Sequence, residues 1–267
     1  MIHPQAMNRW RVILTALSLV ALPALADIPA PLPQIAIIID DLGYGLALGE
    51  RALELPGPVS FAVLPSTPRG KVLAEKAYAR GKDVLLHLPL QSATPLENEE
   101  PGGLLLDMTR GQFAAMFAED FDAVPHAIGV NSHRGSLLTR HPGHMAWLME
   151  EILLRGGLFF VDSYTTHESI ALKVAHEAGV PAVKRDVFLD PDNTPGTLER
   201  EFTRLKKLAR QNGFAVGIGH PFPDTLSMLE DQLPKLSGDG FELISISKYV
   251  ALKSEMLTRT QEAEEAE

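Results

Sequence analysis

The sequence predicts an α/β protein, a single-domain distorted (β/α) barrel of about seven to eight βα units. Three observations predict it. Short apolar runs rich in β-branched residues alternate with stretches of helical length and pattern from about residue 35 to 258. No change of composition separates the two halves, which argues for repeated parallel βα units in one domain. Acids, histidines and an arginine recur where the apolar runs end, the face on which barrels of this kind carry their sites. A doubly wound open sheet is the competing architecture.

The first strand is Ile35-Ala-Ile-Ile-Ile39, too short for a typical helix and apolar enough to be buried on both faces. It ends at Asp40 and Asp41, with Gly43 and Gly45 as turn signals. A short helix over 46–55 stops at Pro56-Gly57-Pro58, and a second strand over 59–64 stops at Pro65. A helix over 71–80 closes on Gly81. The third strand covers 84–88, and a long polar loop over 91–107 is placed to cover a site. Thr109 caps a helix reaching Asp122. Strands over 127–131, 158–162 and 180–184 then alternate with helices over 142–155 and 168–178. A charge-laced helix over 198–211, a strand over 214–219, a helix over 226–236, a strand over 241–246 and a last helix from Ser247 complete the series. The acidic end, 259–267, reads as a frayed tail.

The N-terminus reads as a targeting segment. Arg9 and Arg11 precede an apolar run, 12–22, and the triplet Ala24-Leu25-Ala26 offers a cleavage site. The run is too short to favour a permanent membrane span. The expected division is therefore a signal peptide over 1–26, a proline-bearing linker over 27–34, the barrel over 35–258 and the tail. Retention of the first segment as an anchor is the alternative. Export places the folded part in the periplasm.

The formal net charge of −10 argues against nucleic acid as a partner, since phosphate binding needs a basic surface. With no cysteine, disulfides and thiolate metal sites are excluded, and any metal is held by His, Asp or Glu. Two adjacent carboxylates beside a dry strand repel one another and lose hydration. A divalent ion on one, leaving the other as a base, resolves that; a helix cap plus a solvated acid is the plainer alternative. Together Asp41, His87 and His133 would fill three positions of a zinc site and leave the fourth for water. His87 as a neutral core histidine and His133 as an exposed turn histidine are the plainer alternatives. His220 follows Gly217-Ile218-Gly219, where the glycines admit close approach, and is placed to act as a general acid, with a capping or packing histidine as the alternative. Asp162 ends another dry strand and would orient a histidine or pair with Arg185; Arg185 and Asp186 would otherwise form a plain ion pair.

The order Ile-Asp-Asp-Leu-Gly from Ile39, Leu-His-Leu-Pro-Leu-Gln ending at Gln91, Gly-Val-Asn-Ser-His-Arg-Gly-Ser from Gly129, Phe-Val-Asp-Ser ending at Ser163, Arg-Asp-Val-Phe-Leu-Asp from Arg185 and Ile-Gly-His-Pro ending at Pro221 resembles the divergent polysaccharide deacetylases of bacterial envelopes. These are distant relatives of the NodB-homology carbohydrate esterases. The resemblance implies a distorted (β/α) barrel with a divalent metal, often zinc, that removes acetyl groups from sugars. It implies Asp40 as base, Asp41 and His87 as metal ligands, Asp162 as a supporting acid and His220 as the acid. The main family's second histidine is replaced by Gln91, so His133 would supply the missing imidazole, and Arg185 would hold Asp40 or Asp186. The partner implied is a glycan, with an envelope protein as a further candidate. The Gln91 departure also raises the alternative of an inactive envelope glycan-binding or regulatory protein on the same fold. An acid-pair phosphoryl-transfer domain using Lys184 is a third reading, disfavoured by the export signal.

Overall fold

The computed structural model describes residues 31–94, 102–192 and 194–265, with Met1. The chain divides into units Met1–Pro31 and Leu32–Glu267; the fold below is that of the second unit. The expected signal peptide beyond Met1, the first half of the expected linker (27–30), the centre of the 91–107 loop and the last two residues lie outside the described residues.

Among the described residues the elements run β1 (Gln34–Leu42), α1 (Leu46–Leu53), β2 (Ser60–Val63), α2 (Gly70–Ala79), β3 (Val84–Leu90), α3 (Arg110–Asp122), β4 (Ala127–Arg134), α4 (Pro142–Arg155), β5 (Phe159–Asp162) and α5 (Ala171–Glu177). Then follow β6 (Ala182–Lys184), β7 (Val187–Phe188), α6 (Pro195–Asn212), β8 (Phe214–Gly219), α7 (Pro223–Gln232), β9 (Glu242–Ile244) and α8 (Ile246–Glu265). Every strand pairing is parallel, in the order β6-β5-β4-β3-β2-β1-β8-β7, with β9 added beside β1. The two ends of this path, β6 and β7, are joined by two residues only. Arg185 N donates to Asp162 O on one side, and Asp186 N donates to Val216 O on the other. One broken strand thus spans the two edges of a distorted (β/α) barrel.

Local chemistry explains the helix limits. Thr109 caps α3 in a reciprocal capping box with Gln112. Pro142, Pro195 and Pro223 stand in the first turns of α4, α6 and α7, where a missing N–H costs nothing. The last helix differs from expectation: in place of a frayed tail, α8 continues to Glu265. Its alanines, glutamates and lysines are strong helix formers, and Arg259 lies 4.0 Å from Glu255 one turn earlier. Among the described residues no helix is long and apolar enough to cross a membrane.

The core has two layers, and strand parity sorts residues between them. Ile35, Ile37 and Ile39 face the helices with Phe61, Val63, Leu86, Val130 and Phe160. Ala36 and Ile38 face the barrel interior with Ala62, Leu85, Val161, Val183, Val216 and Ile218. Ile246, Tyr249 and Val250 of α8 join that interior cluster with Ile244 and plug the barrel at the N-terminal ends of its strands. Each isoleucine of β1 is fully buried, a contribution of about 1.5–3 kcal/mol per side chain. Above the interior cluster, at the strands' C-terminal ends, the same inward rows continue as polar residues.

Candidate active site

The inward row of β1 is Ala36, Ile38, Asp40. In β3 it is Leu85, His87, and in β4 it is Asn131, His133. Beyond Val161 of β5 it reaches Ser163. Val183 of β6 leads to Arg185, Phe188 of β7 to Asp190, and Ile218 of β8 to His220. Each of these polar residues stands two positions beyond a residue of its own inward row, so the pleat aims them all at one cavity.

Asp41 breaks the rule through its backbone. It adopts φ 58°, and the pairing of β1 with β2 shifts register between Ile39 and Leu42. This bulge puts two successive carboxylates at the cavity and returns Leu42 to the outer core, where it is 1% exposed. Aspartate tolerates the left-handed conformation better than most residues. Gly43 follows at φ 145°, and a Cβ there would lie 2.1 Å from Thr67 Oγ1.

Three donor atoms form a nearly equilateral triangle. Asp41 Oδ1 lies 2.9 Å from His133 Nδ1 and 3.1 Å from His87 Nε2, and the two ring nitrogens are 3.0 Å apart. Asp41 Oδ1 is buried yet receives no directed N–H. Burial pushes the Asp41 carboxyl up, but the two imidazoles more than offset it and hold it well below the usual carboxylate range.

Asn131 fixes the tautomer of His87. Its Nδ2 donates to Asp40 Oδ1 at 2.8 Å and to Ser163 Oγ at 3.3 Å. Its Oδ1 therefore faces His87 Nδ1 at 2.8 Å and accepts the ring's N–H. The neutral ring is left with a lone pair on Nε2, aimed at a carboxylate oxygen that also offers only lone pairs. A cation between them removes that conflict. Donors about 2.0–2.1 Å from a tetrahedral ion stand roughly 3.3 Å apart, so the triangle could take up a divalent ion with a small outward relaxation. The structure thus brings together the three residues that the sequence offers as metal ligands.

Asp40 is 3% exposed, and its Oδ2 lies 3.7 Å from His87 Nε2. Desolvation raises its pKa against the pull of His87, His220 and Asn131. His220 lies across the cavity, with Nε2 3.6 Å from Asp41 Oδ2. Its Nδ1–H donates to Asp190 Oδ1 at 2.9 Å, and its backbone N donates to Asp190 Oδ2 at 2.7 Å. Thr225 Oγ1 also donates to Asp190 Oδ2, at 2.8 Å. A Cβ at Gly219 would lie 3.4 Å from that oxygen and 3.2 Å from Thr225 Cγ2, which shows what the glycine admits. Burial works against the charged His220 ring, but Asp190, Asp40 and Asp41 outweigh it and raise its pKa.

Two expectations are corrected. Asp162 does not orient His220. It shares the outward parity of Phe160, and its oxygens accept from Tyr164 N at 2.9 Å and Ser169 Oγ at 2.7 Å, closing the turn after β5. Asp190 takes that place on His220. Arg185 forms no ion pair with Asp40 or Asp186: its Nε and Nη2 donate to Ser163 O at 2.6 Å and Tyr164 O at 2.8 Å. Asp186 instead accepts from Val216 N at 2.8 Å. The charge of Arg185 still acts on Asp40 through space. Gln91 is not part of the triangle, and its Oε1 accepts from Leu106 N at 2.7 Å. Asn131, Ser163 and Asp190 are site residues that the sequence reading left without a role; inward parity was the signal that carried them.

Residues 37–250 match the model of the family described as divergent polysaccharide deacetylase. The chain is 36% identical over 225 residues to the protein YibQ of Escherichia coli K12, covering 84% of this chain and 69% of that one. It resembles the solved structure of ATU2773 from Agrobacterium tumefaciens C58 with a TM-score of 0.78 at 23% identity, covering 83% of this chain and 90% of that one. The peptidoglycan deacetylase PdaC from Bacillus subtilis shares the fold with a TM-score of 0.51 at 13% identity, covering 87% and 97%. The matched span holds the β1 acids, the β3 and β4 imidazoles and the Asp190–His220 pair, and by that span the chain belongs to the divergent polysaccharide deacetylase family.

Proposed function

We propose that this protein is a metal-dependent hydrolase that removes acetyl groups from an envelope glycan, and that it works in the periplasm. The observation that carries the reading is the triangle of Asp41, His87 and His133, flanked by Asp40 on one side and the His220–Asp190 pair on the other. Asp41, His87 and His133 would hold a divalent ion, which we take to be zinc, and it would supply a Lewis acid for the acyl oxygen and lower the pKa of water.

The chain's own groups then divide the proton work. Asp40, kept basic by burial, takes the proton from the attacking water. Asn131 holds that carboxylate and His87 in fixed orientations. His220, whose pKa is raised against burial chiefly by its bond to Asp190, gives a proton to the departing amine or alcohol at Nε2. Arg185, held by two carbonyls, adds positive charge near Asp40.

The Gln91 departure motivates the inactive alternative; the triangle of Asp41, His87 and His133 supports the active reading because it needs no ligand from Gln91, whose Oε1 accepts from Leu106 N. Zinc-loaded protein incubated with tri-N-acetylchitotriose and with peptidoglycan fragments should release acetate. Binding of these glycans with no acetate released would reject catalysis and favour the glycan-binding alternative. In cell fractions the protein should appear in the periplasm with its new N-terminus at Asp27; a cytoplasmic, unprocessed chain would reject export.

A further inference from the structure

A cavity of about 460 Å³ opens beside the site, between the β6–β7 junction and α6. Its charged lining is Lys184, Arg185 and Arg204 against Asp186 and Glu201. The cations are not equally neutralised. Arg204 Nη1 lies 3.1 Å from Glu201 Oε2. Among the described residues neither Lys184 nor Arg185 has a carboxylate within ion-pair distance. Lys184 Nζ rests 4.5 Å from the centre of the Tyr164 ring. Arg185 spends Nε and Nη2 on two backbone carbonyls, which fix the plane of its guanidinium.

The cavity also adjoins the reacting groups. Phe188 carries Arg185 over its ring at 4.9 Å and meets the His220 ring edge-on at 5.4 Å. A substituent held here therefore belongs to a substrate whose acetyl group lies near His220. Three cations against two carboxylates leave one positive charge, which matches one monovalent anion.

We propose that this cavity is a subsite for a single carboxylate on the glycan, held by Lys184 and Arg185. The proposal rests on the deacetylase reading and names its substrate class: an acetylated sugar chain with a carboxylate-bearing ring, in preference to a neutral one. Charge-assisted bonds at a partly buried site favour the acidic chain by roughly tenfold in affinity.

The test is calorimetric titration of zinc-loaded protein with two probes. One is tri-N-acetylchitotriose, and the other is a matching oligosaccharide in which one ring carries a lactyl ether carboxylate. The acidic probe should bind about tenfold tighter, and the advantage should shrink as salt rises. Lys184→Gln, a change at an exposed position, should abolish the advantage and leave the neutral probe's affinity unchanged. Equal affinities in the unaltered protein, or equal weakening of both probes by Lys184→Gln, would overturn the subsite. If the neutral probe is still deacetylated in that case, only the subsite falls; if neither probe binds or turns over, the deacetylase reading falls with it.

Discussion

Asn131 stands between Asp40 and His87, with its amide nitrogen 2.8 Å from the carboxylate and its oxygen 2.8 Å from the ring nitrogen. One neutral side chain thus couples the proposed base to a proposed metal ligand and sets the tautomer of that ring. Asn131→Ala leaves a buried carboxylate and a buried ring N–H without this partner. The expected cost is about 1–3 kcal/mol of stability for each group left unpaired. Zinc affinity should fall by roughly 10–100-fold, as for other residues that orient a ligand. Urea unfolding and competitive zinc titration measure the two effects.

Asp41 joins two properties that a substitution can separate. Its left-handed backbone serves the bulge, and its oxygen serves the triangle. Asparagine tolerates the same conformation. Asp41→Asn should therefore keep the melting temperature of the metal-free protein within a few degrees while zinc binding is lost. A variant that unfolds would show that the charge, rather than the backbone, holds the bulge.

Asp190 accepts from His220 with one oxygen at the ring and the other at the backbone. Asp190→Ala should lower kcat by roughly 10²–10⁴-fold, the usual contribution of a positioned acid. Zinc content should stay intact, because Asp190 touches none of the three ligands. Asp162→Ala should instead act on stability through the turn at Tyr164, with a small effect on kcat. Steady-state kinetics and metal analysis of the two variants distinguish these roles.

Asp120 gives the fold a pH dependence remote from the site. It is fully buried under the Gly102–Gly103 turn; its Oδ2 accepts from Gly103 N at 3.2 Å, and its Oδ1 has no hydrogen-bond partner among the described residues. Burial pushes its pKa up to about 7, against the bond from Gly103. The folded state then holds a proton that the unfolded chain releases near pH 4. Between those values each pH unit removes roughly 1.4 kcal/mol of stability. Asp120→Asn should raise the melting temperature clearly at pH 8 and only slightly at pH 4.5. An equal effect at both values would contradict the account. Gln91→Ala should cost about 1 kcal/mol through the lost bond to Leu106 N, with zinc content unchanged.

Much of this was legible in the residues. The apolar runs of β1 and β8 and the prolines and glycines that bound α4 place the elements closely, and the strand ends name the triangle. What was not legible was orientation. Asp162 and Asp190 both end dry strands, and composition alone treats them alike. One lies in the outward row with Phe160 and the other in the inward row with Phe188, a difference of parity that requires knowing where each strand begins. The Asp41 bulge cannot be read from alternation, since it is the place where alternation fails. The split of one strand into β6 and β7 comes from pairing across the two edges of the barrel, which no local pattern records. Arg185 shows the same limit: beside Asp186 in sequence, it turns inward to the carbonyls of Ser163 and Tyr164.

The most direct measurement is X-ray absorption at the zinc edge of the loaded protein. It should show a shell of nitrogen and oxygen neighbours at about 2.0–2.1 Å with the scattering of two imidazoles, and His133→Ala should remove one of them. A shell of oxygen alone, or one that His133→Ala leaves unchanged, would contradict a shared ion at Asp41, His87 and His133.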